Sequence, residues 1–284
     1  LSNGYMNIFD EYSYSSSDLN IRVKSIIKES GDYDSSEELA GKIMALIDLT
    51  SLNGDDTIRK IQDLCQDALQ LSSLIKPEYI PAVCVYPVFI ETSIKKLCDS
   101  PTKVATVVGG FPAGQVPLDV KLLETKMAIE EGADEIDMVV NRGYILENND
   151  AKIIEEVSKI KEICHHKILK VILETGELES IQNIRKASEL ALLGGADFIK
   201  TSTGKHPVGS TKSAFLIMLD TIKEYCLKTG KKAGIKAAGG ISEPETAFYY
   251  YSLVKSILGD SWLHPDKFRI GASRLARNLR IELS

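Results

Sequence analysis

Eight short apolar runs, each followed by a stretch of helical character, recur along this chain at nearly even spacing. They are IMALIDLT, IPAVCVYP, TKVATVV, DEIDMVVN, KILKVILE, ADFIKTS, KAGIKAAG and KFRIGAS. Residues near their ends (Asp48, Cys84, Thr106, Asp137, Lys170, Lys200, Lys236 and Gly271) follow one another at intervals of 22 to 36 positions. Such an interval holds one strand, one helix and two loops, and parallel strands need a crossover of about that length. Eight units therefore predict an α/β protein folded as a closed (β/α)8 barrel, with function at the C-terminal ends of the strands. A doubly wound open sheet is the alternative, but its glycine-rich dinucleotide fingerprint is missing after the first run.

Helix signals fill the gaps. Asp119 to Glu131 carries Val120, Leu123, Met127 and Ala128 at helical spacing, which predicts an apolar inner face, and Gly132 is a typical stop. Ser242-Glu243-Pro244-Glu245 reads as an N-cap, a first-turn proline and an acidic residue at the positive end of the helix dipole. Residues 1–34, rich in Ser, Tyr, Asp and Asn, are expected to form a partly irregular extension with a short helix around LNIRVKSIIKE; the catalytic barrel is expected over 35–284.

At 44% hydrophobic and 26% charged, 284 residues can bury a large core. A net charge of −6 leaves no footprint for nucleic acid or an anionic membrane, and no apolar run approaches the roughly 18 residues of a membrane span. Five cysteines without a C-x-x-C pair argue for free thiols, and LSNGYMNIFD resembles neither a secretory nor a transit leader, so a cytoplasmic location is expected. Self-association as a homodimer is left open.

Lys170, Lys200 and Lys236 each stand near the end of a strand-like run, where an ammonium is expensive to desolvate. With Asp48, Cys84, Thr106 and Asp137 they are the expected inward-facing polar ring. Two carboxylates facing three cations leave excess positive charge at the strand mouth, suited to an anionic substrate. Asp48 or Lys170 taken alone also fits a structural ion pair. Crowded cations and burial lower a lysine's proton affinity. Moving one from about 10.4 to near 7 takes roughly 4 to 5 kcal/mol, within reach of one adjacent cation and partial desolvation. A neutral amine so produced can attack a carbonyl; by position alone both Lys200 and Lys236 qualify.

Three loops beside the lysines suit a phosphate: Thr201-Ser202-Thr203-Gly204-Lys205, Ala238-Gly239-Gly240 and Gly271-Ala272-Ser273-Arg274. Glycines let backbone N–H groups approach an oxyanion, and barrels often hold phosphate after strands seven and eight. His165, His166, His206 and His264 form no metal-ligand spacing, so neither a metal nor a cofactor is expected. G-x-S-x-G, G-x-x-x-x-G-K-[ST] and G-x-G-x-x-G are absent, which disfavours serine hydrolysis, P-loop and Rossmann chemistry. Cys84 reads as site lining rather than nucleophile, and Tyr249-Tyr250-Tyr251 as helix packing.

The segments IDLTSLN (47–53), ADEID (133–137), LKVILETG (169–176), DFIKTSTGK (197–205) and IKAAGG (235–240) together resemble the deoxyribose-phosphate aldolases over about residues 35 to 280. The resemblance implies a metal-free barrel enzyme, active in nucleoside catabolism, that splits 2-deoxyribose 5-phosphate into glyceraldehyde 3-phosphate and acetaldehyde through a Schiff base. It implies Lys200 as the imine-forming residue, Lys236 as the neighbour that tunes it and Asp137 as the proton relay. It further implies Asp48, Thr50, Cys84 and Lys170 at the reacting end, and Gly204, Lys205, Gly239, Gly240 and Ser273 at the phosphate. Arg274 stands where many members carry a second serine, so it either reaches the phosphate or faces solvent. Members can also carry a C-terminal tyrosine that assists proton transfer; Ile281-Glu282-Leu283-Ser284 has none, so another group serves or turnover is reduced. Another Schiff-base aldolase or transaldolase is the runner-up, and a silent phosphate-binding barrel is the third reading.

Overall fold

A computed structural model describes residues 8–283; the expectations for residues 1–7 and Ser284 lie outside the described residues. Eight parallel strands close in sequence order into a barrel: β1 (Ile47–Thr50), β2 (Ala82–Val85), β3 (Lys103–Val108), β4 (Glu135–Val139), β5 (Ile168–Ile172), β6 (Phe198–Lys200), β7 (Gly234–Ala238) and β8 (Phe268–Ala272), with β8 pairing back to β1. Around them run α1 (Ser16–Glu29), α2 (Glu37–Met44), α3 (Ile58–Leu74), α4 (Ile90–Leu97), α5 (Leu118–Glu130), α6 (Arg142–Leu146), α7 (Asp150–Cys164), α8 (Ile181–Leu193), α9 (Lys212–Thr229), α10 (Pro244–Leu258) and α11 (Arg274–Glu282). The (β/α)8 barrel expected from the spacing is the fold. No helix among the described residues is long and apolar enough to cross a membrane.

Strand parity divides the apolar residues. Ile47, Leu49, Val83, Val85, Val104, Val108, Ile136 and Met138 join the large core between strands and helices, whereas Ala82, Cys84, Ala105 and Val107 form a separate inner cluster with Leu52. Thr106 therefore does not belong to the inward ring. It shares its face with Val104 and Val108, and its hydroxyl donates to the Val85 carbonyl of the neighbouring strand at 2.9 Å. Lower in the barrel, Phe198 and Gly234 are register partners. A Cβ on Gly234 would lie 2.4 Å from the Phe198 ring, so only glycine lets that ring lie across β7 and floor the barrel below the lysines.

Two helices depart from the expected pattern. α5 buries Lys121, Thr125 and Ala128, while Val120, Leu123 and Met127 are exposed. The inner face is polar because Lys121 has partners there: its ammonium donates to the Val139 carbonyl (2.8 Å) and pairs with Glu156 of α7 (2.5 Å). The helix stop holds: Gly132 has φ +101°, and a Cβ there would meet Ile94 at 2.7 Å. At α10 the N-cap is Glu243 rather than Ser242, one residue later than the sequence pattern indicates.

The N-terminal helix is longer than LNIRVKSIIKE and begins with a capping box: the Ser15 hydroxyl accepts from the Asp18 N–H, and the Asp18 carboxylate accepts from the Ser15 N–H. Leu19, Val23 and Ile26 are buried, and α1 packs on α9 and α10. Arg22 grips Asp220 of α9 with two hydrogen bonds of 2.6 and 2.8 Å. Phe9 and Tyr12 lie over the Arg185 guanidinium of α8 at 5.2 and 5.0 Å, and Tyr33 bonds Glu282 of α11. Residues 8–34 thus form a strap across the last four helices.

Candidate active site

Strand register builds the site. Lys200 and Lys236 are Cα partners across β6 and β7, and Asp137 and Lys170 across β4 and β5, so period-two alternation sends all four side chains into the barrel. Asp137 is the hub. Its Oδ2 accepts from Lys200 and from Lys236, each at 2.8 Å, and its Oδ1 accepts from Lys170 at 2.8 Å. Lys236 also bonds Asp48. Beneath lie two further charges that sequence reasoning missed. Glu135 accepts from Lys170 at 2.5 Å, and the Arg269 guanidinium bridges Asp48 (2.5 Å) and Glu135 (2.9 Å). Each stands two residues before a marker, Asp137 and Gly271, and so on the same strand face; that parity is the signal that locates them.

The cluster holds four cations (Lys170, Lys200, Lys236, Arg269) against three carboxylates (Asp48, Glu135, Asp137), all buried. The lysines are not equivalent. Burial pulls the Lys200 ammonium below its ordinary value; Asp137 resists and Lys236 assists. Burial acts the same way on Lys236, yet Asp137 and Asp48 together outweigh it and hold that ammonium above its ordinary value. Lys170 is likewise held high, against burial, by Asp137, Glu135 and Asp48. Burial would raise the Asp137 carboxyl, but Lys170, Lys200 and Lys236 hold it well below the usual carboxylate range. Burial pushes the Cys84 thiol up, which keeps it protonated; its Sγ lies 3.9 Å from Asp137 Oδ2.

Over the cluster, at the C-terminal ends of the strands, opens a cavity of about 360 Å³. Lys200 reaches it, and so do Thr50, Gly204, Lys205, Gly239, Gly240, Ser273 and Arg274. Asp48, Cys84, Lys170, Lys236 and Asp137 do not line it: they are fully buried beneath, so Asp48, Cys84 and Lys170 do not wall the cavity as the resemblance implies. Asn53 and Thr203 also line the cavity; they belong to the runs IDLTSLN and TSTGK respectively, whose position at strand ends is the signal that locates them. The stem of Lys236 runs past Gly271, where a Cβ would lie 3.2 Å from its Cε. Backbone meets backbone where the β6 and β7 loops touch, with Gly239 (φ +87°) packed between Gly204 and Gly209. On the same side α11 begins at Arg274 with no side-chain cap, so its first amides stay open to an anion. Lys205 and Arg274 are exposed at the rim.

A closed barrel with one amine of depressed basicity under a cationic, glycine-rich mouth defines an enzyme for carbonyl chemistry on an anionic substrate. Residues 42–249 match the model of the DeoC/LacD family aldolases. The chain is 43% identical over 255 residues to the deoxyribose-phosphate aldolase of Mus musculus, covering 85% of this chain and 80% of that one. A solved structure from Toxoplasma gondii, described as a candidate deoxyribose-phosphate aldolase, superposes with TM-score 0.79 at 25% identity over 87% of this chain and 94% of its own. The tetrameric deoxyribose phosphate aldolase of Aeropyrum pernix shares the fold with TM-score 0.68 at 24% identity, covering 90% and 96%. The chain belongs to the DeoC/LacD family of aldolases.

Proposed function

We propose that this protein is a class I aldolase that reversibly cleaves 2-deoxy-D-ribose 5-phosphate to D-glyceraldehyde 3-phosphate and acetaldehyde through an imine on Lys200. The observation that carries the reading is the asymmetry of the lysines. Lys200 alone among the three reaches the cavity, and it alone has its proton affinity lowered. Neutral Lys200 adds to the C1 aldehyde of the open sugar, water leaves, and the iminium accepts the electron pair of the C2–C3 bond as the C3 hydroxyl loses its proton. Glyceraldehyde 3-phosphate departs. Protonation of the remaining enamine at C2 and addition of water release acetaldehyde and restore the amine.

Asp137 is the relay in this scheme. A carboxylate held so low is a weak base by itself, so it moves protons together with Lys236 and a water, the Lys236 ammonium compensating each change of charge. The carbinolamine and enamine steps need no Lewis acid, because the iminium is the electron sink. Borohydride reduction with acetaldehyde, followed by peptide mapping, tests the reading: a two-carbon adduct is expected on the peptide containing Lys200, and cleavage is expected to persist in EDTA. An adduct on Lys236 with Lys200 unmodified, or activity lost to chelation and restored by zinc, overturns it. A silent phosphate-binding barrel would gain no adduct.

Gly204, Lys205, Gly239, Gly240 and Ser273 are the proposed phosphate holders, with Arg274 beside them at the first residue of α11. A charge-assisted contact contributes roughly 1.5 to 3 kcal/mol, so Lys205→Ala is expected to raise KM for the phosphorylated sugar about ten- to a hundredfold. Steady-state kinetics with unphosphorylated deoxyribose is the control; equal losses on both sugars would assign the lysine to the fold or the chemistry. Arg274→Ser is expected to weaken binding in the same selective way.

A cytoplasmic location and self-association as a homodimer complete the proposal. All five cysteines are free thiols, which suits a reducing compartment. Val120, Leu123 and Met127 expose an apolar stripe on α5 suited to a second copy.

A further inference from the structure

Glu174, in the loop after β5, carries two costs. Its backbone is left-handed (φ +54°, ψ +60°), a conformation that disfavours any side chain with a Cβ. Its carboxylate is buried, the residue being 1% exposed, with one oxygen, Oε1, lacking any hydrogen-bond partner among the described residues. The other oxygen, Oε2, takes two bonds from a single residue of the next loop: the backbone N–H of Thr203 at 3.2 Å and the Thr203 hydroxyl. That hydroxyl in turn accepts the N–H of Lys205 at 3.0 Å.

The consequence is a fixed turn. The Thr203 side chain cannot rotate without losing two bonds, and its backbone N–H is held by the same carboxylate, so the peptide planes on either side of Gly204, which has φ +78°, are set by a side chain from another loop. Of the Thr203, Gly204 and Lys205 amides, only that of Gly204 has no protein acceptor among the described residues. Thr203, Gly204 and Lys205 line the cavity, whereas Glu174 does not touch it. The neighbouring Thr175 N–H donates to the Thr201 carbonyl at 2.9 Å, a second stitch between the same two loops.

We propose that Glu174 is a positioning residue for phosphate recognition: through Thr203 it aims the Gly204 N–H and the Lys205 side chain at the phosphate of the substrate. This rests on the reading of the Gly204-Lys205 loop as a phosphate holder. Glu174 never meets the sugar. A turn freed to shift by an ångström loses alignment with an anion while leaving the amine of Lys200 where it is.

Steady-state kinetics on both sugars tests it. Glu174→Ala is expected to raise KM for 2-deoxyribose 5-phosphate about tenfold or more, with kcat changed less than about threefold and kcat/KM for unphosphorylated deoxyribose unaffected. Glu174→Gln retains a carbonyl oxygen that accepts both Thr203 donors, so it is expected to restore KM to within about threefold of the parent. Thr203→Val breaks the same link without touching the left-handed residue and is expected to reproduce the Glu174→Ala phenotype, which keeps the test open if the alanine variant folds poorly. A Thr203→Val variant with unchanged KM, equal losses on both sugars in either variant, or a glutamine variant as impaired as the alanine one would overturn the proposal. Lys205→Ala separates the two failures. If it discriminates between the sugars while Glu174 and Thr203 variants do not, the positioning role alone falls; if none discriminates, the phosphate assignment falls with it.

Discussion

Replacing Lys200 by methionine is expected to lower cleavage of 2-deoxyribose 5-phosphate at least about a thousandfold and to abolish borohydride trapping, without loss of stability. The first half follows from removal of the nucleophile. The second follows from the charge count: the buried cluster goes from four cations and three carboxylates to three of each, and Asp137 keeps Lys170 and Lys236 as partners. A thermal midpoint equal to or above that of the parent is therefore expected at neutral pH. The sign of the pH dependence gives a second readout. Because burial lowers the folded-state value of Lys200 below its ordinary 10.5, the unfolded chain binds more protons between those two values, so parental stability gains from this group as pH rises through that window. The methionine variant lacks the gain. A variant with destabilised fold and residual trapping would make Lys200 a structural cation.

Asp137→Asn is the second large effect. The amide keeps the shape but cannot accept a proton, and turnover is expected to fall at least about a hundredfold with KM within a few-fold of the parent. Unlike the lysine change it also leaves four cations against two carboxylates, so the thermal midpoint is expected to drop. Opposite stability shifts from two neighbouring substitutions, both damaging to turnover, distinguish a functional excess charge from a structural network. Unchanged turnover in the asparagine variant would reduce Asp137 to a counter-ion.

Periodicity made the barrel legible, and strand-end position made the gathering of Asp48, Asp137 and the three lysines legible, because both follow from local geometry. Thr106 shows where this stops. In TKVATVV both faces of the strand are apolar, so no alternation marks which side Thr106 takes, and its hydroxyl is satisfied by a neighbouring strand that the local sequence does not reveal. α5 fails for a related reason: an apolar stripe points inward only if nothing better competes, and the Lys121–Glu156 pair, made with a distant helix, competes successfully. Glu135 and Arg269 were within reach through parity. The unequal basicity of Lys200 and Lys236 was not, since it depends on how many carboxylates each ammonium meets in the assembled barrel.

The strap at the amino end has a consequence for how such a molecule comes into being. β1 pairs with β8 as well as with β2, Arg22 with Asp220 and Tyr33 with Glu282, so several partners of this amino-terminal segment lie in the last quarter of the sequence. A ribosome delivers those partners long after the strap. Leu19, Val23 and Ile26 emerge before α9 and α10, the helices that α1 packs on, and Arg22 emerges 198 positions before Asp220. Barrel closure therefore waits on long-range contacts of the kind that fold slowly. Until those partners arrive, the apolar face of α1, with Leu19, Val23 and Ile26, is a surface that a chaperone can cover.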